Sequence, residues 1–252
     1  NSIKPSAFGD LLNHRRDQFP ANVQLALWNL TDSHDTDRVA QMVVNRNTAG
    51  RYKNQEKFDY DEPGNSARSN PSYQIRRPNR EERAIQRLVA LFQVTYVGAP
   101  MFYYGVEAGI WGGDDPDCRK PMAWPDLQME IEQMDPLGRE RAGDDPNFDE
   151  EVHDFYSRAI ALHRNHTAFK TPEFAILSAE DDKNVFVYSR GAGEDLRLVA
   201  LNRSSEEQTV PVSVRDGRVL FSTSGDAGSV LITGEGNARL LTLPPLTGVV
   251  LQ

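Results

Sequence analysis

The sequence predicts an α/β part followed by an all-β part, and three observations carry that prediction. Two apolar runs, 23–28 (VQLALW) and 99–104 (APMFYY), alternate with stretches of helical periodicity. Each run gives way at its C-terminal end to a cluster of charged and polar groups, NLTDSHDTDR after the first and GVEAGIWGGDDPDCRK after the second. Side chains at the ends of parallel strands converge on one face, so the runs read as two strand ends of one barrel. After Pro172 the apolar spacing shifts to a period of 2, which predicts an antiparallel β-sandwich. The expected domains are therefore 1–171 and 172–252.

The elements follow in order. Residues 6–19 carry Phe8, Leu11 and Leu12 at helical spacing behind Ser6 as N-cap, and Pro20 ends the helix. The run 23–28 is short and flanked by polar residues, which suits a strand buried on both faces. Residues 45–79 are polar and broken by Pro63, Pro71 and Pro78, the pattern of a long functional or disordered loop. Residues 80–96 form the clearest helix, with Ile85, Leu88, Val89 and Phe92 at i, i+3, i+4 and i+7. A second buried strand spans 99–104, then an extended Gly-, Pro- and Asp-rich loop runs from 105 to 147. A further amphipathic helix covers 149–162, and strands are expected at 184–188, 196–201, 209–214 and 240–243.

Composition narrows the function. The formal charge of −9 argues against nucleic acid or an anionic membrane as partner and is compatible with a neutral substrate such as a sugar. No apolar run reaches the roughly 20 residues needed to span a bilayer. The N-terminus has no basic or apolar leader, and a soluble, cytoplasmic protein is expected over a periplasmic one. A single cysteine, Cys118, excludes an internal disulfide framework.

The candidate site residues sit at the two strand ends. His34 and Asp35 occupy the position a barrel reserves for catalysis, where an imidazole donates to a sugar hydroxyl and a carboxylate favours nearby positive charge. An adjacent His and Asp also occur in metal-dependent phosphohydrolases, but the other histidines show no metal-ligand spacing. Asp115 and Arg119, four residues apart, read as a paired acceptor and donor for vicinal hydroxyls, or as a solvated acidic loop tied down by its arginine. Calcium in the same loop stays open, although EF-hand spacing is absent. Trp111, among glycines, is the candidate platform for stacking on a sugar, ahead of Trp124, Tyr103 and Tyr104. Cys118 beside Arg119 suggests a lowered thiol pKa, without a partner for nucleophilic chemistry.

These motifs also carry a resemblance. NLTDSHDTDR resembles the fourth signature region of the alpha-amylase superfamily (glycoside hydrolase family thirteen). GAPMFYYGVEAG resembles the eighth-strand segment of that family, and DDPDCRKPMAW is similar to the loop that follows it in cyclomaltodextrinases, neopullulanases and maltogenic amylases. Val106 departs from the YYGDE of many relatives. The resemblance implies the C-terminal part of a (β/α)8 TIM barrel, with the last two strands and their helices, followed by an antiparallel β-sandwich. It implies that His34 donates to the sugar at the cleavage subsite and that Asp35 stabilises an oxocarbenium-like transition state. Asp115 and Arg119 would hold the next sugar. A retaining glycosidase needs two carboxylates about 5 to 5.5 Å apart across the scissile bond. The family places both on the fourth and fifth strands. The chain is therefore expected to act on an alpha-glucan or maltooligosaccharide only with the missing N-terminal part of the barrel. Alone it is expected to be inactive, and to self-associate as a homo-oligomer or depend on that part, because two strands leave open edges. No cofactor is required. The alternative is a non-catalytic glucan-binding or protein-interaction module derived from an amylase.

Overall fold

A computed structural model describes residues 3–48, 66–234 and 238–252. Much of the expected loop 45–79 lies outside the described residues. The chain forms two compact units that interleave along the sequence: one from 30–86 and 101–156, the other from 3–29, 87–100 and 157–252. These units cut the chain elsewhere than the expected 171/172 boundary, which instead follows the change from helix to strand.

The second unit opens with helix α1 (Pro5–Asp17). Pro5, not Ser6, begins it, since a fixed φ and a missing N–H suit the first helical position. Ser6 is not the cap: its backbone N–H and hydroxyl both donate to the Asp181 carboxylate, at 2.9 and 2.7 Å. A carboxylate from 175 residues away thus serves the helix N-terminus. The expected strand 23–28 is instead a short helix, α2 (Ala21–Ala26), and only Trp28–Leu30 is a strand, β1. Pro20 starts that helix, and an apolar run of this length fits either state. Nor is β1 buried on both faces, since Trp28 is 70% exposed. Strand β2 (Ala99–Met101) pairs with β1, the Ala99 N–H donating to the Leu27 carbonyl at 2.8 Å.

From residue 174 the second unit is a sandwich. A five-stranded sheet of order β5-β6-β7-β12-β9 comprises Phe174–Glu180, Val185–Arg190, Arg197–Asn202, Gly248–Leu251 and Val219–Ser222. A three-stranded sheet of order β10-β11-β8 comprises Leu231–Thr233, Ala238–Leu243 and Gln208–Ser213. Val187, Leu198 and Val249 from the first meet Val210, Val212 and Leu241 from the second in one core. Every residue of β6 is buried. Its other face carries Phe186 and Tyr188, which join Phe8 of α1 and Phe92 in an aromatic cluster with ring centroids 5.2 to 6.0 Å apart. Phe92 belongs to helix α4 (Arg80–Thr95), whose later turns lie in this unit. Gly248 on β12 permits that approach, because a Cβ there would come within 2.8 Å of Leu91.

Helix α5 (Glu150–Asn165) contributes His163 to this unit. Its Nδ1–H donates to the Val94 carbonyl at 2.7 Å. Burial holds the ring below its ordinary pKa of 6.5, outweighing the hydrogen bond. The unfolded chain then binds the proton more readily, so this contribution is present above 6.5 and is lost as pH falls through that value. Melting temperatures measured from about pH 8 to about pH 5 should fall, and His163→Gln, which keeps a donor, should flatten part of the slope. An identical slope in the variant would exclude this histidine as its source.

The first unit has few regular elements. The short helix α3 (Val39–Val44) is largely buried. Asn79 and Glu82 cap the start of α4 reciprocally, Asn79 Oδ1 accepting from the Glu82 N–H at 2.9 Å and Glu82 Oε2 from the Asn79 N–H at 2.8 Å. The expected loop 105–147 contains a hairpin, β3 (Glu132–Met134) and β4 (Glu140–Asp144). Gly138, at φ +76°, sits in its turn.

Candidate functional site

The two strand-end segments meet in the first unit. Asp32 anchors the earlier one: its carboxylate accepts from the Val39 N–H at 2.9 Å and the Thr31 hydroxyl at 3.1 Å. Burial pushes this carboxyl above its usual range despite those donors. Ser33 and Thr36 close the turn between them, with the Ser33 N–H donating to the Thr36 hydroxyl at 2.8 Å. His34 and Asp35 project from that turn with side chains 65% and 67% exposed, and His34 Nε2 lies 3.2 Å from Asp35 Oδ2.

Arg119 gathers the cluster. Its Nε donates to the His34 carbonyl at 3.0 Å and lies 2.9 Å from Asp115 Oδ1, while Nη2 reaches Asp35 Oδ1 at 3.2 Å. Thus His34, Asp35, Asp115 and Arg119, expected from the sequence as one site, do form one patch. Cys118 donates its thiol to the same His34 carbonyl at 3.0 Å. Its pKa is not lowered: burial and the nearby Asp115 charge push it up to about 11, which disfavours the thiolate.

Trp111 needs correction as a stacking platform. It is 2% exposed, and the Lys120 ammonium lies 4.8 Å from its ring centroid, so it shows no open face to a sugar. The carboxylates of the acidic loop are spoken for separately. Asp114 accepts from the Asp115 N–H at 2.8 Å, and Asp117 from the Gly113 N–H at 2.6 Å. Burial raises the Asp117 pKa. Among the described residues, no group of three or more His, Cys, Asp or Glu is placed to hold a metal.

Sequence reasoning missed Arg38. It is wholly buried, and its N–H donates to the Gly112 carbonyl at 3.0 Å. Its Nε donates to the Cys118 carbonyl at 2.7 Å and Nη1 to the Tyr104 carbonyl at 2.6 Å. The guanidinium also lies 4.5 and 4.8 Å from the Tyr103 and Tyr104 ring centroids. One side chain therefore fastens the His34 turn to the Arg119 loop. The available signal was the arginine closing NLTDSHDTDR in an otherwise acidic stretch.

The patch offers alternating donors and acceptors at short range, the arrangement a polyhydroxylated ligand matches. Its ion pairs are exposed and contribute little to stability by themselves.

No family model matches the chain. It is 27% identical over 249 residues to a cyclomaltodextrinase of Geobacillus thermopakistaniensis (strain MAS1), covering 96% of this chain and 32% of that protein. It is 27% identical over 255 residues to neopullulanase 2 of Thermoactinomyces vulgaris, covering 99% and 33%. The native debranching enzyme of Nostoc punctiforme superposes with a TM-score of 0.65 at 22% identity, covering 99% of this chain and 40% of that one. The chain spans about a third of the length of the curated relatives it matches.

Proposed function

We propose, starting from this similarity to alpha-glucan hydrolases of the alpha-amylase superfamily, that the chain is the C-terminal part of a retaining alpha-glucan hydrolase acting on alpha-1,4-linked glucans. The observation that carries the reading is the single patch of His34, Asp35, Asp115 and Arg119, two pairs far apart along the chain, with Asp35 and Arg119 separated by 84 residues. In this reading His34 donates to a hydroxyl of the sugar being cleaved. The Asp35 carboxylate lies where positive charge grows as the glycosidic bond breaks, and that charge is what it stabilises. Asp115 and Arg119 bind the neighbouring sugar, one accepting from and one donating to adjacent hydroxyls. The nucleophile and the acid/base come from outside this chain, which alone binds glucan without cleaving it.

Arg119→Ala tests the patch directly. A charge-assisted hydrogen bond is worth about 1.5 to 3 kcal/mol, so maltotriose binding to the 252-residue chain should weaken by that amount in titration calorimetry. Unchanged affinity would remove Arg119 from the site. A complete protein that binds glucan through this patch without any turnover would instead be a glucan-binding module.

A further inference from the structure

We infer that Arg38 is a positioning residue for the patch: it sets where Arg119 stands relative to His34 and Asp35 without itself meeting the ligand, an inference that rests on the glucan reading above. Two links join the His34 turn to the Arg119 loop, and a ligand acts on them differently. In the outer link the His34 carbonyl accepts from Arg119 Nε and from the Cys118 thiol, both at 3.0 Å. The Arg119 guanidinium in that link is the group a sugar hydroxyl would claim, and its side chain is 45% exposed. A ligand that draws Arg119 outward therefore weakens the outer link as it binds.

The inner link survives that event. The Cys118 carbonyl that accepts from Arg38 Nε at 2.7 Å is the oxygen of the peptide unit from which Arg119 springs. Arg38 Nη1 holds the Tyr104 carbonyl, just past β2, at 2.6 Å. Arg38 is wholly buried, with the Tyr103 and Tyr104 rings against its guanidinium, so bulk water does not compete for these donors. None of its partners is a group that the sugar needs.

The turn is closed at its base as well. The Asp32 carboxylate accepts from the Val39 N–H at 2.9 Å, and the Arg38 N–H donates to the Gly112 carbonyl at 3.0 Å. Residues 32–39 thus make a loop stapled at its mouth, with Arg38 leaving from the staple and Asp35 on its exposed part. A guanidinium whose fork meets two carbonyls at once has a fixed direction, whereas a lysine ammonium keeps the charge without that direction. Misplacing a binding group by about 1 Å is enough to lose much of its contribution.

A double-mutant cycle separates positioning from general loosening. Maltotriose is titrated into the 252-residue chain, Arg38→Lys, Arg119→Ala and the double variant, followed by NMR so that weak affinities are read. With Arg119 present, Arg38→Lys should weaken binding about tenfold, the lower end of what a charge-assisted hydrogen bond is worth. In the Arg119→Ala background the same substitution should change affinity by less than about twofold, because the group it positions is gone. Equal weakening in both backgrounds would overturn the inference, since Arg38 would then loosen the site as a whole. Undiminished binding by Arg38→Lys, with Arg119→Ala weakened, would overturn it and leave the glucan reading standing. If Arg119→Ala alone binds as the wild type does, or the wild type does not bind, the glucan reading falls and the positioning role falls with it. Arg38→Gln, which keeps an N–H donor, is the second variant should the lysine not fold. Failure of both to fold would overturn the inference by assigning Arg38 to stability alone.

Discussion

Asp35→Asn should lower kcat by about a hundredfold to a thousandfold in the complete enzyme, while KM and folding change little. The expectation follows from what the substitution removes. Asparagine keeps the size of the side chain and one acceptor oxygen toward Arg119, which now sits 3.2 Å from Asp35 Oδ1. It loses the negative charge, which in the proposed reading counts most once positive charge develops on the sugar, so the loss should appear in the chemical step more than in ground-state binding. The side chain is largely exposed, and substitutions of that kind usually shift stability by no more than about 0.5 kcal/mol. Steady-state kinetics with a thermal melt on the same preparation decide the matter. Near-wild-type turnover in a folded variant would strip Asp35 of its role.

Arg190→Met should destabilise the chain by about 3 kcal/mol or more, with a fall in melting temperature of about 6 to 12 °C. Arg190 is wholly buried at the end of β6. Its Nε donates to the Glu173 carbonyl at 2.9 Å, Nη2 to the Thr171 carbonyl at 2.6 Å, and Nη1 to the Thr95 carbonyl at the end of α4. Burial lowers its pKa to about 10, still well above neutrality, so it is a cation where it stands. Methionine fills the space of the stem and leaves the Thr95 and Thr171 carbonyls without this donor, each costing about 1 to 3 kcal/mol, while the Glu173 carbonyl keeps the Gly191 N–H at 3.3 Å. Denaturant unfolding checks the value. A loss under about 1 kcal/mol would mean that other donors or water replace the guanidinium.

The long elements were legible because their periodicity is strong. Ile85, Leu88, Val89 and Phe92 announce α4, and the alternation after Pro172 announces the sandwich. The short ones were not. VQLALW is too brief for its apolar pattern to distinguish helix from strand, and Pro20 decided in favour of helix. The hairpin strands EQM and ERAGD have no apolar alternation, since charged pairs such as Lys120 with Glu132 hold them. The Asp181 carboxylate at the start of α1 is a tertiary partner that no local window shows. That His34, Asp35, Asp115 and Arg119 meet in one patch was legible because charged groups at strand ends converge. Trp111 was misread because its glycine neighbours suggested an open loop. Gly112 serves close packing instead, a Cβ there coming within 2.6 Å of the Asp117 carbonyl oxygen.

Arg38 grips main-chain oxygens at 104 and 118 and donates its own amide to a third at 112. Every such anchor point is an atom that all twenty amino acids possess. The hydrogen bonds themselves are thus independent of side-chain identity at 104 and 118, whereas 112 is held to glycine by the Asp117 carbonyl, and the intervening stretches can lengthen or change composition between fixed moorings. Diversity of ligand preference is then compatible with an unchanging spatial relation between the two strand-end turns, provided that one arginine stays.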